Sequence, residues 1–133
     1  MSSYRILHVD DDLLMLDVVE LSLGLDPTFT LKNFASGEEA LAMAAEWSPD
    51  LILCDVMMPD MEGPGLLTRL RDNTGTAKIP VIFMTARAQA PEVEQLMSLG
   101  ALHVQDKRRQ HVSIFQKQME VRRQKRLALV AAV

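Results

Sequence analysis

The chain of 133 residues is poor in the residues that stabilise many secreted and membrane proteins. Its single cysteine, Cys54, cannot form a disulfide within the chain, which excludes a disulfide-stapled fold. Its longest apolar run, residues 127–133, is far shorter than the ~20 residues that a membrane span needs. The first twelve residues carry one Arg and then three acids where a signal peptide would carry its apolar stretch. We therefore expect a cytoplasmic protein that has no membrane as a partner.

Positive charge is also scarce in most of the chain. Residues 1–106 hold 6 Lys and Arg against 17 Asp and Glu, whereas residues 107–133 hold 8 against 1. Apolar residues make up 48% of the sequence, which is enough for the core of one domain. The basic segment lacks the interleaved aromatic residues of a nucleic-acid surface, so nucleic acid is not expected as a partner.

The apolar pattern alternates between short buried strands and helices. The predicted strands are residues 5–10, 28–34, 51–56, 81–86 and 102–106. The predicted helices are residues 13–25, 36–47, 66–71 and 91–99, followed by a last helix from about residue 110. Asp12 and Ser36 are predicted helix N-caps. The alternation predicts a doubly wound five-stranded parallel α/β sheet with helices on both faces, in the flavodoxin-like order 2-1-3-4-5.

Acidic residues mark the ends of two strands that are neighbours in this order. Asp10, Asp11 and Asp12 end strand one, and Asp55 lies at the end of strand three. Carboxylates at such close range repel one another unless a cation lies among them. A hard divalent ion, Mg²⁺ above all, suits a site made of oxygen ligands.

Groups that bind anions follow the next two strands. Thr85 ends strand four, and Lys107 comes directly after strand five. A hydroxyl, an ammonium group and a metal ion together suit a phosphoryl group. A carboxylate is a nucleophile that needs no general base, so Asp55 is a candidate to form an aspartyl phosphate.

The loop after strand three is rich in methionine. Met57, Met58 and Met61 all lie within a few residues of Asp55. We interpret their side chains as packing residues that fill the loop around the site, rather than as a docking patch for variable partners. Cys54, inside a predicted buried strand, is interpreted as an inert core residue.

Four segments resemble the receiver domain of two-component response regulators. They are ILHVDDD (6–12), PDLILCDVMMPDMEG (49–63), IPVIFMTA (79–86) and GALHVQDK (100–107). The resemblance implies that Asp55 takes phosphate from a histidine kinase or a phosphotransfer protein. The metal ligands that it implies are Asp10, Asp11, Asp55 and the backbone carbonyl of Met57. The phosphate-contacting and switch residues that it implies are Thr85, Ala86 and Lys107.

The sequence departs from the family pattern around Lys107. Family members usually carry Pro after this lysine and an aromatic residue three positions before it, where this chain has Arg108 and Val104. Without the aromatic ring, we expect an activation signal to leave through Thr85 and the loop after strand four.

The resemblance divides the chain into two parts. We expect residues 1–107 to form the part of the receiver domain that matches the family, and residues 108–133 to form an atypical basic last helix and an apolar tail of the same domain. We expect this last segment to mediate self-association as a homodimer or capture of a partner, because an uncharged apolar end exposes surface that favours association. The output is expected to be contact with a downstream protein partner, or to reside in an output domain that this chain lacks.

Other functions are open from the residues alone. A pseudo-receiver would be an interaction module that acts without phosphorylation. An FMN-binding protein would need a Ser/Thr/Gly-rich loop after strand one, where this chain has DDDLL. A hydrolase of external phosphates would want a second acid at position 57, which is Met57. Enzymatic activity would be at most Mg²⁺-dependent self-phosphorylation from a phosphodonor and self-dephosphorylation.

Overall fold

The computed structural model describes residues 4–86 and 89–106, and the structural statements below concern these residues. The strands are β1 Tyr4–Val9, β2 Phe29–Phe34, β3 Leu51–Asp55, β4 Val81–Thr85 and β5 His103–Asp106. The helices are α1 Leu13–Leu23, α2 Gly37–Trp47, α3 Gly63–Asp72 and α4 Ala90–Ser98. The predicted last helix and Lys107 lie outside the described residues. In the described part of the chain, no helix has the length and apolarity to cross a bilayer.

The five strands form one parallel sheet in the order β2-β1-β3-β4-β5, which confirms the predicted fold class and strand order. Every residue of β3 and β4 is buried, because these strands carry packed side chains on both faces. The chain leaves β1 toward β2 on one side and later adds β3 on the other. The switch point of the sheet therefore lies at the carboxyl ends of β1 and β3, where ligands bind in folds of this class.

Two apolar layers cover the sheet. On one face Leu7, Ile52 and Phe83 pack with residues of α2, α3 and α4. On the other face Ile6 and Leu53 pack with residues of α1. Burial of Cys54 in the first layer confirms its interpretation as a core residue. Burial, and to a smaller extent the negative charges of Asp55 and Asp10, raises the pKa of the Cys54 thiol far above its usual range.

Both predicted helix N-caps are confirmed. The Asp12 carboxylate accepts a hydrogen bond from the backbone N–H of Leu14 at 3.0 Å and closes the first turn of α1. The Ser36 hydroxyl accepts one from the backbone N–H of Glu39 at 3.3 Å and does the same for α2. These side chains satisfy backbone donors that have no partner inside the helix.

The start of α3 differs from the prediction. The helix begins at Gly63 rather than at Leu66. Pro64 lies in its first turn, where a missing N–H removes no helical hydrogen bond and the fixed φ of proline suits the helix. The apolar periodicity that located the helix from sequence only begins at Leu66, so it could not show this first turn.

The end of α2 contains a strained residue that offers a stability test. Ser48 has a φ of 53° and a ψ of 63°, a left-handed conformation that glycine adopts without steric cost. We expect Ser48→Gly to raise the free energy of unfolding by about 1 kcal/mol, measured by urea denaturation. Ala45→Gly, at an exposed position inside the same helix, should instead lower it by about 0.5 to 1 kcal/mol. A loss of stability in Ser48→Gly would contradict this account of the helix end.

Candidate functional site

Three carboxylates converge at the switch point of the sheet. Asp10, Asp11 and Asp55, called the acidic cluster below, each present an oxygen within 4.8 Å of the others. Asp10 and Asp55 come together because β1 and β3 are neighbours, with Val9 opposite Cys54 in the register. Asp10 is fully buried, Asp55 is 4% exposed, and Asp11 is exposed. The acidic cluster is thus buried at Asp10 and Asp55 and reaches solvent at Asp11.

The backbone around β1 holds Asp10 in place and separates the roles of the following acids. The Asp10 N–H donates to the carbonyl of Phe34 at 3.0 Å, and its carboxylate accepts from the N–H of Asp12 at 2.9 Å. The side chain of Asp12 is itself engaged at the first turn of α1, with the N–H of Leu14. Of the three consecutive acids, the structure therefore brings Asp10 and Asp11 to Asp55 and directs Asp12 to the helix.

A close contact with α3 positions the backbone of Asp55. A Cβ added at Gly63 would lie 2.7 Å from the carbonyl oxygen of Asp55 and 2.9 Å from the ring of Phe83. The N–H of Gly63 also donates to the carbonyl of Val56 at 2.9 Å. Sequence reasoning missed Gly63, although its place between an acidic loop and Pro64 is a signal that could have found it. The absence of a side chain at this position lets α3 begin directly against the end of β3.

The loop between β3 and α3, residues 56–62, is called the methionine loop below. Its three methionines differ in their burial. Met58 and Met61 are 5% and 8% exposed, which confirms that they pack around the loop. Met61 lies against Gly37 at the start of α2. A Cβ added at Gly37 would lie 2.9 Å from the Cβ of Met61. The same interpretation is wrong for Met57, which is 69% exposed. None of the described helices or strands covers this side chain.

The predicted switch residues of strand four also lie at this edge. Thr85 is the last residue of β4 and is 5% exposed, and Asp55 pairs with Met84 directly before it. Ala86 follows and is exposed. Lys107 lies outside the described residues, and its position in the site stays a prediction. Val104, in the place of the family's aromatic residue, is buried in the core layer that faces α2, α3 and α4.

Further acids surround the acidic cluster. The first turn of α2 and the loop before α3, which both lie at the carboxyl edge of the sheet, carry exposed Glu38, Glu39, Asp60 and Glu62. The described Lys and Arg residues are Arg5, Lys32, Arg69, Arg71 and Lys78. Arg5 and Lys32 lie near the Trp47 ring at the end of α2, while the others lie at or after the end of α3. Across the described residues, the basic side chains therefore lie away from the acidic cluster.

The fold and the site together define a class of protein. A doubly wound parallel sheet with buried aspartates at its switch point is the architecture of phosphate-signalling receiver domains. The chain matches the family described as response regulator receiver domain over residues 6–117, and it belongs to that family.

Individual relatives agree with this assignment. A probable cyclic di-GMP phosphodiesterase of Vibrio cholerae serotype O1 is 38% identical over 77% of this chain and 23% of its own length. The response regulator PleD of Caulobacter vibrioides is 42% identical over 63% of this chain and 18% of its own length. The chain thus spans less than a quarter of either of these relatives. The structure of the chemotaxis protein CheY4 of Vibrio cholerae has the same fold, with a TM-score of 0.81 and 24% identity over 90% of this chain and 98% of that one.

Proposed function

We propose that this chain is a phosphoacceptor receiver domain that takes a phosphoryl group onto Asp55 from a histidine kinase or a phosphotransfer protein. The observation that carries the proposal is the convergence of three carboxylates within 4.8 Å, with Asp55 buried at the centre of the fold's switch point. Membership of the receiver family supports it. The output would be contact with a downstream protein partner or an output domain outside this chain.

The acidic cluster fits a magnesium ion. Its ligands are all oxygens, two of its three carboxylates are buried, and their mutual repulsion calls for a positive charge. Asp10, Asp11, Asp55 and the backbone carbonyl of Met57 would hold the ion. Mg²⁺, when bound, would offset negative charge on the transferring phosphoryl group.

Different residues of the chain have different roles in phosphoryl transfer. A carboxylate oxygen of Asp55 attacks the phosphorus in line, forming an O–P bond as the bond between phosphorus and the donor atom breaks. The Thr85 hydroxyl, the backbone of Ala86 and the ammonium group of Lys107 contact the phosphoryl oxygens. Val104 has no aromatic ring that could reorient on phosphorylation. The conformational change is therefore transmitted through Thr85 and the loop that follows β4.

Intact-mass measurement tests the proposal against the alternative. The chain is incubated with a small phosphodonor and Mg²⁺, and addition of one phosphoryl group supports a phosphoacceptor. Magnesium binding without phosphoryl addition would instead select a pseudo-receiver, an interaction module that acts without phosphate. The predicted division at residue 107 and the homodimer through the last segment concern residues outside those described, and both remain predictions. Sedimentation of the full chain against a version that ends at Arg122 tests the homodimer.

Neighbouring acids are expected to respond differently to substitution. Asp11→Ala should weaken Mg²⁺ binding, because it removes one of the three converging carboxylates. Asp12→Ala should leave the metal affinity close to that of the unmodified chain and lower the free energy of unfolding by about 1 kcal/mol through loss of the helix cap. Metal titrations and thermal melts on both variants measure the two effects. An equal loss of Mg²⁺ affinity in the two variants would refute this division of roles.

A further inference from the structure

The methionines of this chain differ sharply in their access to solvent. Within one loop Met57 is 69% exposed, while Met58 and Met61 are 5% and 8% exposed. Elsewhere Met84 is fully buried, and Met97 is 41% exposed. A hydroperoxide must reach the thioether sulfur to oxidise it, so access largely decides which methionine reacts. Met57 is the most exposed methionine among the described residues.

The exposed methionine is also the one that lies beside the acidic cluster. Met57 follows Asp55 by two residues, which limits their Cα separation to about 7.6 Å because consecutive Cα atoms are about 3.8 Å apart. Met97 is a natural reference, because it lies in the last turn of α4, at the opposite edge of the sheet. The thiol of Cys54 does not compete for peroxide, since it is fully buried.

We propose that Met57 is a modification site at which a hydroperoxide forms methionine sulfoxide, and that this oxidation slows phosphoryl acceptance at Asp55. In the reaction the sulfur gives up two electrons and forms an S–O bond with one peroxide oxygen. The O–O bond breaks, and the peroxide is reduced to water or to an alcohol. The second half of the proposal rests on the proposed function, whereas the first half does not.

The chemistry of the sulfoxide gives the direction of the effect. Oxidation converts an apolar side chain into a polar one with an oxygen that only accepts hydrogen bonds. The neighbouring acidic cluster already holds three carboxylates within 4.8 Å of one another, and the incoming phosphodonor is an anion. A further electronegative oxygen on a residue two positions from Asp55 disfavours the approach of that anion. Oxidation of Met97 should not have this effect, because Met97 lies far from the acidic cluster.

Peroxide treatment of the full chain tests the modification site. Peptide mapping after timed exposure to hydrogen peroxide should show Met57 oxidised about tenfold faster than Met58 and Met61, in line with their exposure. The map reads each methionine separately, so oxidation elsewhere does not obscure the comparison. Equal rates at Met57 and at its two buried neighbours would overturn the assignment of the site.

Phosphorylation rates test the consequence. Each protein is labelled with a small phosphodonor and Mg²⁺ before and after peroxide treatment, and is compared only with its own untreated sample. Labelling of the unmodified chain and of Met97→Leu should slow severalfold, whereas Met57→Leu should show no change on treatment. Equal slowing of Met57→Leu would refute control through this residue. If the untreated chain accepts no phosphate, the proposed function fails and this consequence fails with it, while the peptide map still decides the modification site.

Discussion

Replacement of Asp55 by Asn is expected to abolish phosphoryl acceptance from a small phosphodonor. The side-chain amide has nearly the size of the carboxylate but lacks the negatively charged oxygen that attacks phosphorus. Intact-mass measurement should show one added phosphoryl group on the unmodified chain and none on the variant. Excess EDTA should prevent labelling of the unmodified chain as well, because the acidic cluster without a cation repels the incoming anion.

Two controls separate this loss from misfolding and from a general charge effect. Asp60→Asn removes a negative charge from the same loop, where Asp60 accepts one long hydrogen bond of 3.4 Å from the N–H of Glu38, and it should keep labelling. Without Mg²⁺, Asp55→Asn should melt at a higher temperature than the unmodified chain, because it relieves repulsion within the acidic cluster. Equal labelling of Asp55→Asn and the unmodified chain, or labelling in excess EDTA, would refute the assignment of Asp55.

Replacement of Gly63 by Ala is expected to cause the largest loss of stability among the substitutions considered. The added methyl group would lie 2.7 Å from the backbone oxygen of Asp55 and 2.9 Å from the ring of Phe83. Neither neighbour can move away easily, because both belong to fully or almost fully buried central strands. Overpacking of this kind lowers the free energy of unfolding by about 1 to 3 kcal/mol, which urea denaturation measures.

The same helix provides a matched control for this prediction. A methyl group at Gly65 would lie 3.8 Å from the side chain of Met61, an ordinary contact, and the position is exposed. Gly65→Ala should therefore raise the free energy of unfolding by about 0.5 to 1 kcal/mol, because alanine loses less backbone entropy in a helix than glycine does. Opposite signs for the two substitutions would locate the effect in the close contacts of Gly63 with Asp55 and Phe83. A Gly63→Ala variant with the same free energy of unfolding as the unmodified chain would contradict the close approach of α3 to β3.

Short-range patterns in the sequence were sufficient to predict most of the fold. Continuous apolar runs located β3 and β4, because a strand covered on both faces needs apolar residues at successive positions. The N-cap roles of Asp12 and Ser36 were equally predictable, since a cap depends on a side chain and on backbone N–H groups a few residues away. The positions of Asp10, Asp11 and Asp55 at strand ends followed from the same runs.

Only the tertiary structure decided which side chains of the methionine loop are covered. Met57, Met58 and Met61 are the same residue type within a few positions, yet one is exposed and two are buried. The difference arises from the path of the chain between β3 and α3, and that path depends on how closely Gly63 approaches Asp55 and Phe83. Such an approach brings together residues from separate elements, so the local sequence pattern does not predict it.

The sequence by itself therefore determined the sheet, its switch point and the acids that mark it, because these depend on local apolar periodicity and on strand ends. The tertiary structure decided that α3 begins at Gly63, in close contact with the backbone of Asp55 and the ring of Phe83. It also decided that a methionine is exposed beside Asp55. These features depend on backbone direction and on packing between separate elements, and they become definite only when the strands and helices are assembled.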